Sequence, residues 1–128
     1  MRIILVEGSL AMQRILLERL QRVPGVVLCG SATGEDAAVE AIDRRRPDVV
    51  LLDISLAQGD GWGVLARARA SGFTGRVLIV THFGLPQYRQ QARELGADGF
   101  YVKSEDLDVL VADLAEASDV PPQAAEKN

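Results

Sequence analysis

The sequence predicts an α/β fold, a doubly wound parallel sheet with helices on both faces. Four short apolar runs, Ile3-Ile4-Leu5-Val6, Val49-Val50-Leu51-Leu52, Val77-Leu78-Ile79-Val80 and Phe100-Tyr101-Val102, show no polar alternation. Such runs suit strands buried on both faces. The stretches between them place apolar residues at helical spacing, and alternating βα units of this length point to a single parallel sheet. Each run also stops on a polar residue: Glu7, Asp53, Thr81 and Lys103. In a parallel sheet all carboxyl ends lie on one edge, where open α/β folds place their sites. Two acids, a hydroxyl and an ammonium would then meet in one shallow pocket, suited to a small anion with a cation beside it.

The elements follow in order. After the first strand, Ser9 is positioned to cap a helix with Met12, Ile15, Leu16, Leu20 and Val23 at helical spacing, and Pro24-Gly25 ends it. A second strand spans about 26–32. Thr33 with Asp36 resembles a capping box, opening a helix that buries Ala37, Ala38, Ala41 and Ile42 until Pro47 stops it. The third strand ends at Asp53, and Gln58-Gly59-Asp60-Gly61 signals a turn before a helix over about 62–70, with Trp62 packing at its start. Gly72 and Gly75 flank the turn into the fourth strand. Pro86 suits the first turn of a fourth helix to about residue 95, closed by Gly96. Tyr88 and Arg89 on it face solvent or a partner. The fifth strand, 99–102, delivers Lys103; Ser104 caps a last helix with Leu107, Leu110, Val111 and Leu114 on one face. Residues 1–117 read as one domain and 118–128 as a loose tail.

Composition is consistent with this picture and narrows the function little. A chain of 128 residues with 48% apolar and 25% charged residues fits one ordinary globular domain. A net charge of −4 argues against a nucleic-acid surface, which needs a basic patch. Arg44-Arg45-Arg46 reads as a helix end, where cations complement the dipole. The single cysteine, Cys29, excludes an internal disulfide and reads as a small buried hydrophobe. No run approaches membrane-spanning length, and Met1-Arg2-Ile3 already starts a strand, so a cytoplasmic protein is expected.

At these residues the chain resembles the receiver domain of two-component response regulators. The matching features are an acid after strand one, Asp53 after strand three, Asp60-Gly61 in the next loop, Thr81 after strand four, and Gly96-Ala97-Asp98-Gly99 leading to Lys103. The resemblance implies a flavodoxin-like (βα)5 sheet of order 2-1-3-4-5. It implies that Asp53 accepts a phosphoryl group from a sensor histidine kinase or a phosphotransfer protein. Mg²⁺ would be held by Glu7, Asp53 and the backbone carbonyl of Ser55. Lys103 and Thr81 would contact the phosphoryl oxygens, and Phe100 matches the switch aromatic. A carboxylate can attack an activated phosphoryl group when nearby cations offset the donor's charge. Helix four, strand five and helix five would form the output face, toward a downstream protein or a second copy. The segment Pro86-Gln87-Tyr88-Arg89 with Lys103-Ser104 is similar to stand-alone bacterial receivers; origin as a piece of a longer regulator stays open.

Three positions depart from the family pattern. Glu7-Gly8 stands where two acids are usual, which should weaken Mg²⁺ binding. Glu7 either reaches inward to compensate or forms a salt bridge with Lys103. His82 stands where a small residue is usual; it obstructs the donor, supplies a hydrogen bond, or is an exposed loop histidine. Ala57 replaces a usual proline, so the loop is expected to be less rigid and the Ser55 carbonyl less well placed. A phosphorylation-independent interaction module is therefore the competing expectation. A nucleotide binder is disfavoured because Glu7-Gly8-Ser9-Leu10 is neither glycine-rich nor basic. An enzyme with its own substrate is not expected, since no second nucleophile–base pair is seen.

Overall fold

The computed structural model describes residues 1–118. Five βα units run in order: β1 (Arg2–Val6), α1 (Leu10–Gln21), β2 (Val27–Ala32), α2 (Glu35–Arg45), β3 (Val49–Leu52), α3 (Gly61–Ala70), β4 (Arg76–Thr81), α4 (Pro86–Glu94), β5 (Gly99–Val102) and α5 (Lys103–Ser118). All strand pairs are parallel, in the order β2-β1-β3-β4-β5. The expected doubly wound sheet is therefore observed.

Strand alternation sorts the core into two layers. Ile4, Val6, Val50, Leu52, Val77 and Ile79 face α2, α3 and α4, against Ala38, Ile42, Leu65 and Ala92. Ile3, Leu5, Val49, Leu51, Leu78 and Val80 face α1 and α5, against Leu16, Leu20, Leu110 and Leu114. Because both faces are covered, the central strands carry no polar alternation. β2 is one of the two edge strands and is less buried than the central ones; Cys29 on it is half-buried against the α2–α4 layer, not fully enclosed.

Local signals place most element ends. Ser9 Oγ accepts the Met12 N–H, Arg44 and Arg45 occupy the last turn of α2, and Gly96 follows α4 with φ +93°. Elsewhere tertiary contacts override the expectation. Ile15 is 53% exposed, because the buried stripe of α1 runs through Leu16 and Leu20 and leaves Ile15 on its solvent side. Ala37 is likewise exposed. Thr33 does not cap α2: Gly34 is the N-cap, and Gln58 Oε1 accepts the Asp36 N–H instead. Ser104 does not cap α5, which already starts at Lys103, while Asp106 Oδ2 accepts the Val102 N–H at 2.8 Å. α5 also runs through Ser118, a residue assigned to the tail: it is buried, and its hydroxyl donates to Pro24 O at 2.8 Å. The rest of the expected tail, 119–128, lies outside the described residues.

No helix among the described residues is long and apolar enough to cross a membrane. Leu114 anchors α5 to the sheet at 1% exposure. Leu114→Ala is expected to cost about 2–5 kcal/mol of stability, read as a lower urea midpoint with an unchanged m-value.

Candidate functional site

Register brings the expected residues to one edge. Val6 pairs with Leu52, so Glu7 and Asp53 leave their strands side by side, joined by the Asp53 N–H to Val6 O bond. Thr81 pairs with Val102, so Lys103 follows one step beyond it. All four polar side chains are enclosed: Glu7 is 2%, Asp53 4%, Thr81 4% and Lys103 5% exposed.

Lys103 joins the two acids. Its Nζ donates to Glu7 Oε1 at 2.5 Å and to Asp53 Oδ2 at 3.0 Å. Of the two geometries open for Glu7, the structure therefore shows the salt bridge. The longer glutamate side chain reaches Lys103, and its second oxygen accepts the Ser9 N–H at 3.0 Å. Asp53 Oδ1 has only a long contact, 3.4 Å, from the Ser55 N–H. Burial pushes the Glu7 carboxyl above its ordinary range, and the nearby Asp53 charge adds to this; the bonds from Lys103 and Ser9 oppose it without reversing it. An ammonium between two buried carboxylates leaves the cluster one negative charge in excess.

A shallow cavity of about 230 Å³ opens beside this cluster, lined by Glu7, Gly8, Ser9, Asp53, Ser55, Leu56, Ala57 and His82. His82 is exposed at its mouth, edge-on to Phe83 with ring centroids 6.3 Å apart. Phe100 is not in this cavity. It lies half-buried beside α4, with the Arg89 guanidinium 4.7 Å from its ring centre. That stack was not expected from sequence, and neither was the Ser9 amide on Glu7. Tyr88 is half-buried, not solvent-facing, and meets Trp62 edge-on.

Gly8 has a steric reason. A Cβ there would overlap the Ser55 carbonyl oxygen and lie 2.8 Å from Leu56 Cα. Both obstacles are backbone, so the β1–α1 and β3–α3 loops can pack this closely only with glycine. Ala57 also departs from the looser loop expected, since its N–H donates to Thr33 O at 2.9 Å, a bond that proline could not make.

The oxygen donors suit a hard cation. Glu7, Asp53 and the Ser55 carbonyl line one cavity with net negative charge, and Mg²⁺ needs few protein ligands because it keeps several waters. No cluster of three or more acidic, histidine or cysteine side chains with metal-binding geometry occurs among the described residues, so water would fill most of the coordination sphere.

Two outcomes follow. With its carboxyl raised in the fold, Glu7 favours the folded state below pH 4.5, and this contribution is lost as pH rises through the raised value. The difference in unfolding free energy between wild type and Glu7→Gln should therefore shift against wild type from pH 4.5 upward in urea titrations; a pH-independent difference would refute this. Gly8→Asp should lower the melting temperature without tightening Mg²⁺ binding, because the backbone of residues 55 and 56 occupies the space its side chain needs.

Comparison with known proteins agrees with the fold. The family model for the response regulator receiver domain matches residues 3–115. Sporulation initiation phosphotransferase F of Bacillus subtilis is 33% identical over 97 residues, covering 76% of this chain and 77% of that protein. The uncharacterized transcriptional regulatory protein YvfU of the same organism is 31% identical over 109 residues, covering 82% of this chain. The chain spans about half the length of that regulator, 52%. The BeF3-activated N-terminal receiver domain of Klebsiella pneumoniae RstA superposes with a TM-score of 0.80 at 27% identity, over 93% of this chain and 99% of that one. By its family match, its relatives and its sheet order, the chain belongs to the receiver domains of two-component response regulators.

Proposed function

We propose that this receiver is a phosphoacceptor switch in which Asp53 takes a phosphoryl group from a sensor histidine kinase or a phosphotransfer protein. The observation that carries the reading is the Lys103 ammonium 3.0 Å from a buried Asp53 carboxylate that opens onto a 230 Å³ cavity. An Asp53 oxygen attacks the donor's phosphorus, the bond from phosphorus to the donor nitrogen breaks, and an acyl phosphate forms on Asp53. The nitrogen leaves with a proton from solvent. Lys103 has three donors, two of them engaged by Glu7 and Asp53, so its third N–H is available to a phosphoryl oxygen without breaking the cluster. Thr81, at the same edge, supplies a hydroxyl donor to another.

Glu7, Asp53 and the Ser55 carbonyl would hold Mg²⁺, which would offset the charge on the transferring group. Glu7 already shares its charge with Lys103, so a weak metal site is consistent with this arrangement. His82 is exposed and lines the cavity, so it would narrow the entry path instead of sealing it. A phosphoryl group brings nearly two negative charges and three strong acceptors to the edge, enough to bias the β4–α4 loop and Phe100. The readout would pass through the α4–β5–α5 face to a protein partner or a second copy, within the cytoplasm. Residues 1–117 with the end of α5 would make up the signalling unit, working as a switch and not as an enzyme with its own substrate.

The test is intact-protein mass after incubation with a small phosphodonor, with and without Mg²⁺, on wild type and Asp53→Asn. One Mg²⁺-dependent phosphoryl adduct, absent from the variant, is the expected result. An unmodified wild type at high Mg²⁺ would overturn the reading and leave an interaction module whose state a partner sets.

A further inference from the structure

The loop carrying the Ser55 carbonyl is clasped by α2. Gln58 supplies one half of the clasp. Its backbone oxygen accepts the Glu35 N–H at 2.8 Å, and its side-chain Oε1 accepts the Asp36 N–H at 3.0 Å. These are first-turn amides that no intrahelical carbonyl can reach, and the Gly34 N-cap offers no side chain to satisfy them. Glu35 supplies the other half: its Oε1 accepts the Asp60 N–H at 3.0 Å, and its Oε2 pairs with Arg67 at 3.0 Å. Gly59, at φ +68°, lets the loop pass directly under that carboxylate, where a Cβ would overlap it. The second half of the loop, at Gln58 and Asp60, is thereby tied to α2, and Ser55 is joined to it through its bridge to Asp60.

We infer that Gln58 and Glu35 are positioning residues that hold the Ser55 carbonyl beside Glu7 and Asp53, supplying by long-range hydrogen bonds the stiffness that a proline at position 57 would supply locally. This rests on the phosphoacceptor reading for its metal, but the clasp has its own readout.

The experiment compares wild type, Gln58→Ala, Glu35→Ala and Glu35→Gln by amide hydrogen exchange and by Mg²⁺ titration of Trp62 fluorescence. Gln58→Ala and Glu35→Ala should each weaken Mg²⁺ binding roughly tenfold, the scale at which outer groups orient metal ligands. Amides 55–60 should exchange faster in both, while those of β4 and α5 keep their wild-type rates. Glu35→Gln keeps an acceptor for the Asp60 N–H and should stay within about twofold, because the exposed Arg67 pair contributes little. Unchanged exchange in the loop, acceleration spread through the whole domain, or loosened exchange with unaltered Mg²⁺ affinity would each overturn the inference. A wild type with no Mg²⁺ response would sink the phosphoacceptor reading instead, and the exchange pattern alone then decides the clasp.

Discussion

The Lys103 ammonium, held between two enclosed carboxylates, is the constraint around which the carboxyl edge of the sheet is arranged. Removing Lys103 would leave two buried carboxylates uncompensated, at a cost of about 3–5 kcal/mol. Asp53 and Glu7 are adjacent because β1 and β3 are paired in register, so their mutual repulsion is built into the sheet. Lys103 offsets it from two strands away: β5 ends at Val102, the partner of Thr81, and α5 begins at the next residue with Lys103 itself.

Glu7 and Gly8 are two parts of one arrangement. The additional methylene of glutamate lets the first acid reach Lys103, and the glycine after it lets the β3–α3 loop close down on the β1–α1 loop. The second acid usual in the family has no room in this packing. The site thereby exchanges a carboxylate for a tighter contact between loops, and its remaining negative charge is largely met from within by Lys103.

The two sides of the cavity are supported unequally. On one side, the β3–α3 loop is tied to α2 by backbone and side-chain bonds, and α3 buries Gly61, Val64, Leu65 and Ala68. On the other, α4 buries only Ala92, and the loop before it exposes His82, Phe83 and Leu85. Elements with few buried contacts open at low free energy. The Arg89 stack on Phe100 and the edge contact of Trp62 with Tyr88 add to the buried Ala92 in holding α4 to its neighbours. The cavity thus has a rigid support on the α2 side and a more compliant one on the α4 side.

The sequence by itself determined the strands, the meeting of Glu7, Asp53, Thr81 and Lys103, and the local stops at Ser9 and Gly96. The strands and stops are written within a few residues, as an unbroken apolar run, a cap or a positive-φ glycine, and the meeting follows from the common carboxyl edge of the parallel sheet those runs imply. Tertiary structure alone decided the partner of Glu7, which lies 96 residues away, and the capping of α2 by Gln58, 22 residues away from Asp36. The same holds for Ile15 and Ala37, whose exposure depends on where the sheet lies relative to each helix, and for Ala57, whose N–H finds its acceptor only when β2 and β3 flank β1. Short-range periodicity encodes which residues are apolar and where elements stop. Charge pairing, loop clasping and the exact phase of a buried stripe depend on distances between segments that become neighbours only when the sheet has formed.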